Sequence, residues 1–212
     1  MWTSKTATND DDTRRRVAAM RSRQRPENEV PVSVALDAML GEAADFIVYL
    51  SGVRVFRTVL EFRLTALARH RGAGRGLSGA LFGHGEQEDR LLLGVEYADG
   101  RIGSNLGGFP AGLNQELDPT TPVLMPGGGG GGDRSAETSY YLTPLPPPGP
   151  LRIITAWPSR GVAESVTEIP AEPLTDAATR VRVLWNLDPD EQPVQPQPPR
   201  VPPGGWFDRS QR

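Results

Sequence analysis

Residues 91–102 have the pattern of a β-hairpin: they read LLLGVEYADGRI. Every second residue of the first half is apolar, which places one row of side chains on one face of a strand. That row consists of Leu91, Leu93, Val95 and Tyr97. Asp99-Gly100 follows at once, and this pair favours a two-residue turn because glycine tolerates a positive φ. The stretch therefore predicts antiparallel strand pairing.

Further segments on both sides of this hairpin have strand character. Most alternate apolar and polar residues, and the shortest are β-branched and aromatic runs. They are residues 30–36, 46–50, 60–66, 140–142, 151–157 and 162–169. Short strands separated by turn signals predict a mainly β domain, an antiparallel immunoglobulin-like sandwich of seven or eight strands. The term describes the architecture alone, because the chain has no cysteine pair.

One helix is predicted after the strands, over residues 174–186. Thr175 can cap it, and Asp176 lies in its first turn, where a carboxylate is favoured. Its apolar residues recur at steps of three and four, which forms one buried face. They are Leu174, Ala178, Val181, Leu184 and Trp185.

The composition divides the chain of 212 residues into three zones. Residues 1–29 are polar and charged, residues 30–186 contain nearly all the apolar periodicity, and residues 187–212 contain seven prolines. Because the two end zones offer little apolar surface to offset the entropy of ordering, we expect them to be disordered. The β domain with its helix is then residues 30–186.

Several functional classes are disfavoured by composition. The chain has no cysteine and two histidines, so we expect no disulfide, no metal site and no cofactor. No pair of nucleophile and base is visible as a motif, which favours a protein that is not an enzyme. An enzyme that uses carboxylates alone, such as Glu96 and Asp99, stays open. No segment has the length of a membrane helix and no signal peptide is visible, so we expect a cytoplasmic protein without membrane insertion.

Two long loops are predicted, at residues 71–85 and 103–134. The second contains six consecutive glycines, residues 127–132. A phosphate-binding loop would need Lys-Ser/Thr after them, whereas Asp133-Arg134 stand there. We therefore interpret the glycines as a flexible surface loop. Residues 144–150 are rich in proline and predict a rigid connection between the two sheets.

An arginine-rich arm is the first candidate binding segment. It contains Arg14, Arg15, Arg16, Arg21, Arg23 and Arg25. Such an arm could neutralise nucleic-acid phosphates, but no aromatic residue lies between the arginines to stack on bases. Acidic residues also flank the arm on both sides, which favours a solvated tail.

Two aromatic residues near the end of the chain are the second candidate. Trp206 and Phe207 follow Gly204-Gly205 in the proline-rich zone, where large aromatic side chains gain nothing unless something buries them. They could contact a partner, or they could fold back on the β domain. Both possibilities stay open.

Four motifs resemble those of a group of uncharacterised actinobacterial cytoplasmic β-domain proteins. These motifs are PLPPPGPL at residues 144–151, Trp157-Pro158 ahead of Gly161-Val162, the glycine run after Val123-Leu124-Met125-Pro126, and Ala177-Ala178 ahead of Leu184-Trp185. The resemblance covers the β zone and implies a β domain, with no activity and no catalytic residue.

Taken together, the residues favour a non-enzymatic protein-interaction or binding module with an unidentified protein partner. The alternative is a nucleic-acid-associated protein that uses the arginine arm. An enzyme with a site on the loops is the third hypothesis.

Overall fold

A computed structural model describes residues 25–71, 76–82, 87–107 and 118–187. These residues form eleven strands and two α-helices. The first half contains β1 Glu29–Val30, β2 Val32–Glu42, β3 Phe46–Val55, β4 Leu60–Ala68, α1 Leu77–Phe82, β5 Leu92–Glu96 and β6 Ile102–Ser104. The second half contains β7 Val123–Gly131, β8 Ser135–Thr143, β9 Pro150–Trp157, β10 Val162–Pro170, α2 Glu172–Thr179 and β11 Arg182–Val183. The protein is mainly β, as the sequence predicts.

All strand pairs are antiparallel, and they form three sheets. The largest sheet has the order β2-β3-β4-β8-β7, the second has the order β10-β9-β5-β6, and β1 pairs with β11. The hairpin predicted at residues 91–102 is confirmed: Glu96 of β5 pairs with Ile102 of β6, and Gly100 has a φ of +82°. The predicted two-residue turn is wrong, because the Tyr97 N–H donates to the Arg101 carbonyl and residues 98–100 form the turn. The immunoglobulin-like sandwich of seven or eight strands is not confirmed by this arrangement.

The edges of the two larger sheets approach each other at two seams. At the first, hydroxyls of β10 bond to carbonyls of β2: Ser165 donates to Leu40, and Thr167 donates to Met39 at 3.0 Å. At the second, Gly103 of β6 lies against Pro122, just before β7. A Cβ atom on Gly103 would lie 2.4 Å from the Pro122 oxygen, so only glycine permits this approach.

The core lies between the inner faces of the two larger sheets. Its largest fully buried side chains are Trp157, Tyr97, Tyr140, Phe56 and Phe62. Alternation along the strands accounts for most of this core, because a strand places every second side chain on the same face. Phe56 is an exception, because it follows the last residue of β3, Val55, which is also buried. Trp157 ends the strand predicted at residues 151–157, and alternation along that strand places it on the same face as the buried Leu151 and Ile153.

The predicted helix over residues 174–186 is wrong in its limits. Helix α2 begins at Glu172 and ends at Thr179, and the hydroxyl of Thr175 donates to the Glu172 carbonyl instead of capping. Beyond the helix, Arg182 pairs with Val30, so strand pairing with β1 replaces further helical turns. Leu184 and Trp185 are exposed as a result, whereas the sequence placed both on the buried face.

The two predicted loops also contain regular structure. Helix α1 lies within residues 71–85, and its Leu77 and Leu81 are fully buried. The prediction of a flexible loop at residues 127–132 is wrong for most of the run, because residues 127–131 belong to β7. Main-chain hydrogen bonds to β8 form without side chains, and this tertiary pairing overrides the low strand propensity of glycine. The proline-rich connection does cross from β8 in one sheet to β9 in the other, as predicted.

No helix among the described residues is long and apolar enough to cross a membrane.

Candidate functional site

The glycine run forms one edge of the five-stranded sheet. Strand β7 pairs with β8 on one side, and Gly129, Gly130 and Gly131 lie opposite Thr138, Glu137 and Ala136. The hairpin between the two strands closes at Gly132, whose N–H donates to the Ser135 carbonyl at 2.8 Å. The register shifts between Pro126 and Gly129, which marks a bulge at the start of the glycine segment.

Two glycines turn their peptide groups away from β8. In an antiparallel pair, hydrogen-bonded and non-hydrogen-bonded positions alternate. Since Gly132 and Ser135 are bonded, the pair Gly130 and Glu137 is bonded as well. The N–H and C=O groups of Gly129 and Gly131 therefore point to the open edge. Within the described part of the chain, no residue bonds to these four groups. We call residues 127–131 the glycine edge.

A shallow trough lies beside this edge on the outer face of the sheet. Its volume is about 460 Å³, and it is lined by Arg63, residues 128–132 and residues 135–139. Arg63 and Glu137 lie on its floor with 3.8 Å between Nη1 and Oε2, and their side chains are 54% and 53% exposed. The trough exists because the glycine edge has no side chains that would fill it. We call it the outer trough.

A second cleft lies on the same face at the other end of β7. Its volume is about 570 Å³, and it is lined by residues 25–27, Glu29, residues 125–127 and Tyr141. Gly127 fits the ring of Tyr141 against β7, because a Cβ atom at this position would lie 2.7 Å from that ring. The side chain of Glu29 holds the N-terminal segment in place by accepting a 3.0 Å hydrogen bond from the N–H of Arg57.

A buried carboxylate lies behind this cleft. Glu61 is 4% exposed and faces Arg54 on one neighbouring strand and Tyr141 on the other. Its Oε1 accepts a hydrogen bond from Arg54, whereas no described residue bonds to Oε2. Burial raises the pKa of Tyr141, and the negative charge of Glu61 raises it further. Tyr141 therefore stays a neutral phenol.

The sequence-predicted site residues are only partly within the described structure. Arg25 is described, is exposed and lines the second cleft beside Glu27. The other five arginines of the arm, Arg14, Arg15, Arg16, Arg21 and Arg23, lie outside the described residues. Trp206 and Phe207 also lie outside them. Nucleic-acid binding by the arm and docking of the aromatic pair stay predictions.

The two carboxylates considered for an enzyme form ion pairs on the surface. Glu96 lies 3.3 Å from Arg152, and Asp99 lies 2.7 Å from Arg101. The hydrogen bond from Arg101 holds the pKa of Asp99 below its usual value. Both groups are engaged by arginines. Among the described residues, no cluster of three His, Cys, Asp or Glu could hold a metal ion.

One polar cluster, around Asp89, was not predicted from the sequence. Asp89 accepts hydrogen bonds from Arg160 at 2.8 Å and Ser159 at 2.7 Å, and the indole of Trp157 donates to it at 3.2 Å. The Arg160 guanidinium also lies 5.1 Å from the ring centre of Phe46. Burial alone would raise the pKa of Asp89, but the hydrogen bonds from Arg160 and Ser159 lower it. The cluster joins segments about 70 residues apart, so no local pattern could predict it.

The glycine edge was missed for a different reason. Glycine carries no apolar alternation, so the segment lacks the signal by which strands are recognised. A signal was nevertheless present, because Val123-Leu124-Met125 are apolar and only Pro126 separates them from the run.

The chain matches no protein-family model, and neither the comparison with curated proteins nor that with solved structures gave a significant match.

Proposed function

We propose that this protein is an interaction module that binds an extended segment of a partner protein along the glycine edge. The observation that carries the proposal is the open main chain of Gly129 and Gly131 at the border of a five-stranded sheet. An extended peptide that adds to such an edge forms main-chain hydrogen bonds as a further strand. Glycine within a strand is typical of places where another backbone approaches closely.

The strength of such an interaction follows from the number of free groups. Two glycines offer two N–H and two C=O groups, and each bond contributes about 0.5–1.5 kcal/mol net. The total of about 2–6 kcal/mol is less than the binding free energy of a micromolar complex, which is roughly 8 kcal/mol. The main chain alone therefore gives a weak complex, and side-chain contacts in the outer trough must supply the remainder.

The immunoglobulin-like arrangement and the cellular setting belong to the same proposal. Two antiparallel sheets around one core support a sandwich-type scaffold, on which binding segments lie at edges and loops. The resemblance to actinobacterial β-domain proteins supports a cytoplasmic setting for the module.

A pull-down with matched variants tests the proposal. The full chain is used as bait in nuclease-treated cytoplasm, together with Gly129→Pro and Gly132→Ala. Proline at residue 129 removes an N–H that faces the open edge and leaves the bonds to β8 in place. Alanine at residue 132 is the control, because its Cβ would meet no atom within 4 Å. Circular dichroism checks that each bait is folded.

We expect the wild type and Gly132→Ala to capture the same protein, and Gly129→Pro to lose it. A further variant, Gly128→Lys, also has open space at its Cβ and places a charge on the edge, which opposes strand addition. It should lose the same protein. Equal capture by all four baits would contradict the proposal. If no bait captures a specific protein, the nucleic-acid hypothesis comes first, and a gel shift at rising salt, with and without residues 1–29, tests it.

A further inference from the structure

We infer that the partner segment presents an aromatic side chain opposite Gly130, where it packs across the bare main chain of β7 into the outer trough. This inference rests on the proposed function and names the chemical class of partner that the edge accepts.

The size of the edge favours a peptide over a second copy of the chain. Five residues of strand extend about 17 Å, and a strip about 10 Å wide along them offers under about 200 Å². Stable contacts between folded proteins bury about 800 Å² on each partner. Two copies that met through the glycine edge alone would fall far below this value. A flexible segment can instead follow the edge and also place its side chains in the outer trough.

The side chain opposite Gly130 points to the outer face. Residues opposite each other in a sheet share a face, and Gly130 lies opposite Glu137, which is exposed on the outer face. On the open edge, the position of Gly130 is a non-hydrogen-bonded one, where the two chains approach to about 4.5 Å between Cα atoms. No described residue would lie within 4 Å of a Cβ atom on Gly130, so the space next to it is open.

An aromatic ring suits this space better than a charged side chain. Large aromatic residues cover glycines on neighbouring strands, which restores the packing that the glycine lacks. The floor of the trough carries one cation and one anion, Arg63 and Glu137, which neutralise each other across 3.8 Å. A charged side chain would therefore gain little, whereas the guanidinium of Arg63 can lie over the face of a neutral ring.

The neighbouring positions of the partner are restricted. Residues opposite Gly129 and Gly131 face the inner side of the sheet, where helix α1 lies. A Cβ atom on Gly131 would lie 2.5 Å from the hydroxyl of Ser78 in that helix. We therefore expect small residues on both sides of the aromatic one, in the pattern small–aromatic–small.

Selection from a random seven-residue peptide library displayed on phage tests this inference. The full chain, Gly129→Pro, Gly130→Val and Gly132→Ala are each used as the immobilised protein. Valine at residue 130 occupies the part of the trough next to β7 and keeps the N–H and C=O groups of the edge, and Gly132→Ala is the matched control. Titration calorimetry then measures the selected peptides as synthetic chains.

We expect the wild type and Gly132→Ala to select peptides with one central aromatic residue between small ones. Replacing that residue by alanine should weaken binding roughly tenfold, which corresponds to about 1.4 kcal/mol. Gly130→Val should bind the aromatic and the alanine peptides equally, and Gly129→Pro should bind neither.

The contrary outcomes are distinguishable. Selected peptides that require Gly129 but show no aromatic preference would overturn this inference and leave strand addition intact. Enrichment by the wild type no greater than by Gly129→Pro would count against both. Sedimentation that shows a dimer for the wild type and a monomer for Gly129→Pro would identify a second copy as the occupant and also overturn the inference.

Discussion

Trp157 is the side chain whose removal should cost the most stability. It is fully buried, its indole N–H donates to the Asp89 carbonyl at 3.0 Å, and its ring centre lies 6.1 Å from that of Phe46. Truncating a buried tryptophan to alanine costs about 3–5 kcal/mol, because the transfer free energy is lost and a cavity remains. The total stability of a domain is about 5–15 kcal/mol. Trp157→Ala should therefore remove about a fifth or more of it, and should lower Tm by about 10 °C in a domain of this size.

The chain contains its own control for this prediction. Trp185 is 56% exposed, and the bond that it accepts from Asn28 uses its main-chain carbonyl, which alanine retains. Trp185→Ala should change stability by no more than about 0.5 kcal/mol, as surface substitutions usually do. Urea unfolding followed by circular dichroism measures both variants without relying on tryptophan fluorescence. Equal losses for the two variants, or a Trp157→Ala midpoint at the wild-type value, would refute the assignment of Trp157 to the core.

Three further predictions concern the seam, the buried carboxylate and the polar cluster. Gly103→Ala should lower the free energy of unfolding by about 1–3 kcal/mol, because the Cβ atom of alanine would overlap the main-chain oxygen of Pro122. Gly128→Ala, with open space, should be neutral or slightly stabilising in the same thermal melts. Arg54→Ala should cost about 2–3 kcal/mol in urea unfolding, because it leaves Glu61 buried without its cation; replacing both residues by apolar ones should restore most of the loss. The pKa of Asp89 is lower in the folded protein than in the unfolded chain. The ionised carboxylate therefore stabilises the fold above the unfolded-state pKa of about 4, and this stabilisation is lost as the pH falls through the folded-state pKa. The stability difference between wild type and Asp89→Asn should accordingly shrink in melts below about pH 4, and a constant difference would contradict the ion pair.

The sequence predicts those features that depend on local alternation. Residues 91–102 carry both the period of two and the turn signal, and the structure forms a hairpin there. The burial of Trp157 follows from the same rule, since Leu151, Ile153 and Trp157 occupy alternate positions of one strand. In these segments the local preference and the tertiary environment agree, which is why one-dimensional reasoning is sufficient.

The sequence fails where a distant strand decides the conformation. Residues 180–185 have a helical apolar pattern, but pairing of Arg182 with Val30 extends the chain there. The glycine edge has no pattern at all, and only the presence of β8 makes it a strand. In the first case the deciding partner lies far away in the chain, and in the second the glycine segment itself has no side-chain pattern, so composition and spacing could not reveal either strand.

The way in which the sheets meet explains why the glycine edge is available. Unpaired strand edges invite association with other chains, so folded proteins usually protect them. Here β2 and β10 protect each other through the hydroxyls of Ser165 and Thr167. Strand β6 approaches β7 at Pro122, ahead of the glycines. Beyond the bulge after Pro126, the described residues leave Gly129 and Gly131 without a neighbour, a charge or a proline on that side. Among the described residues the other long edges are protected and this one is bare, which supports binding at this edge over a purely structural role for the glycines.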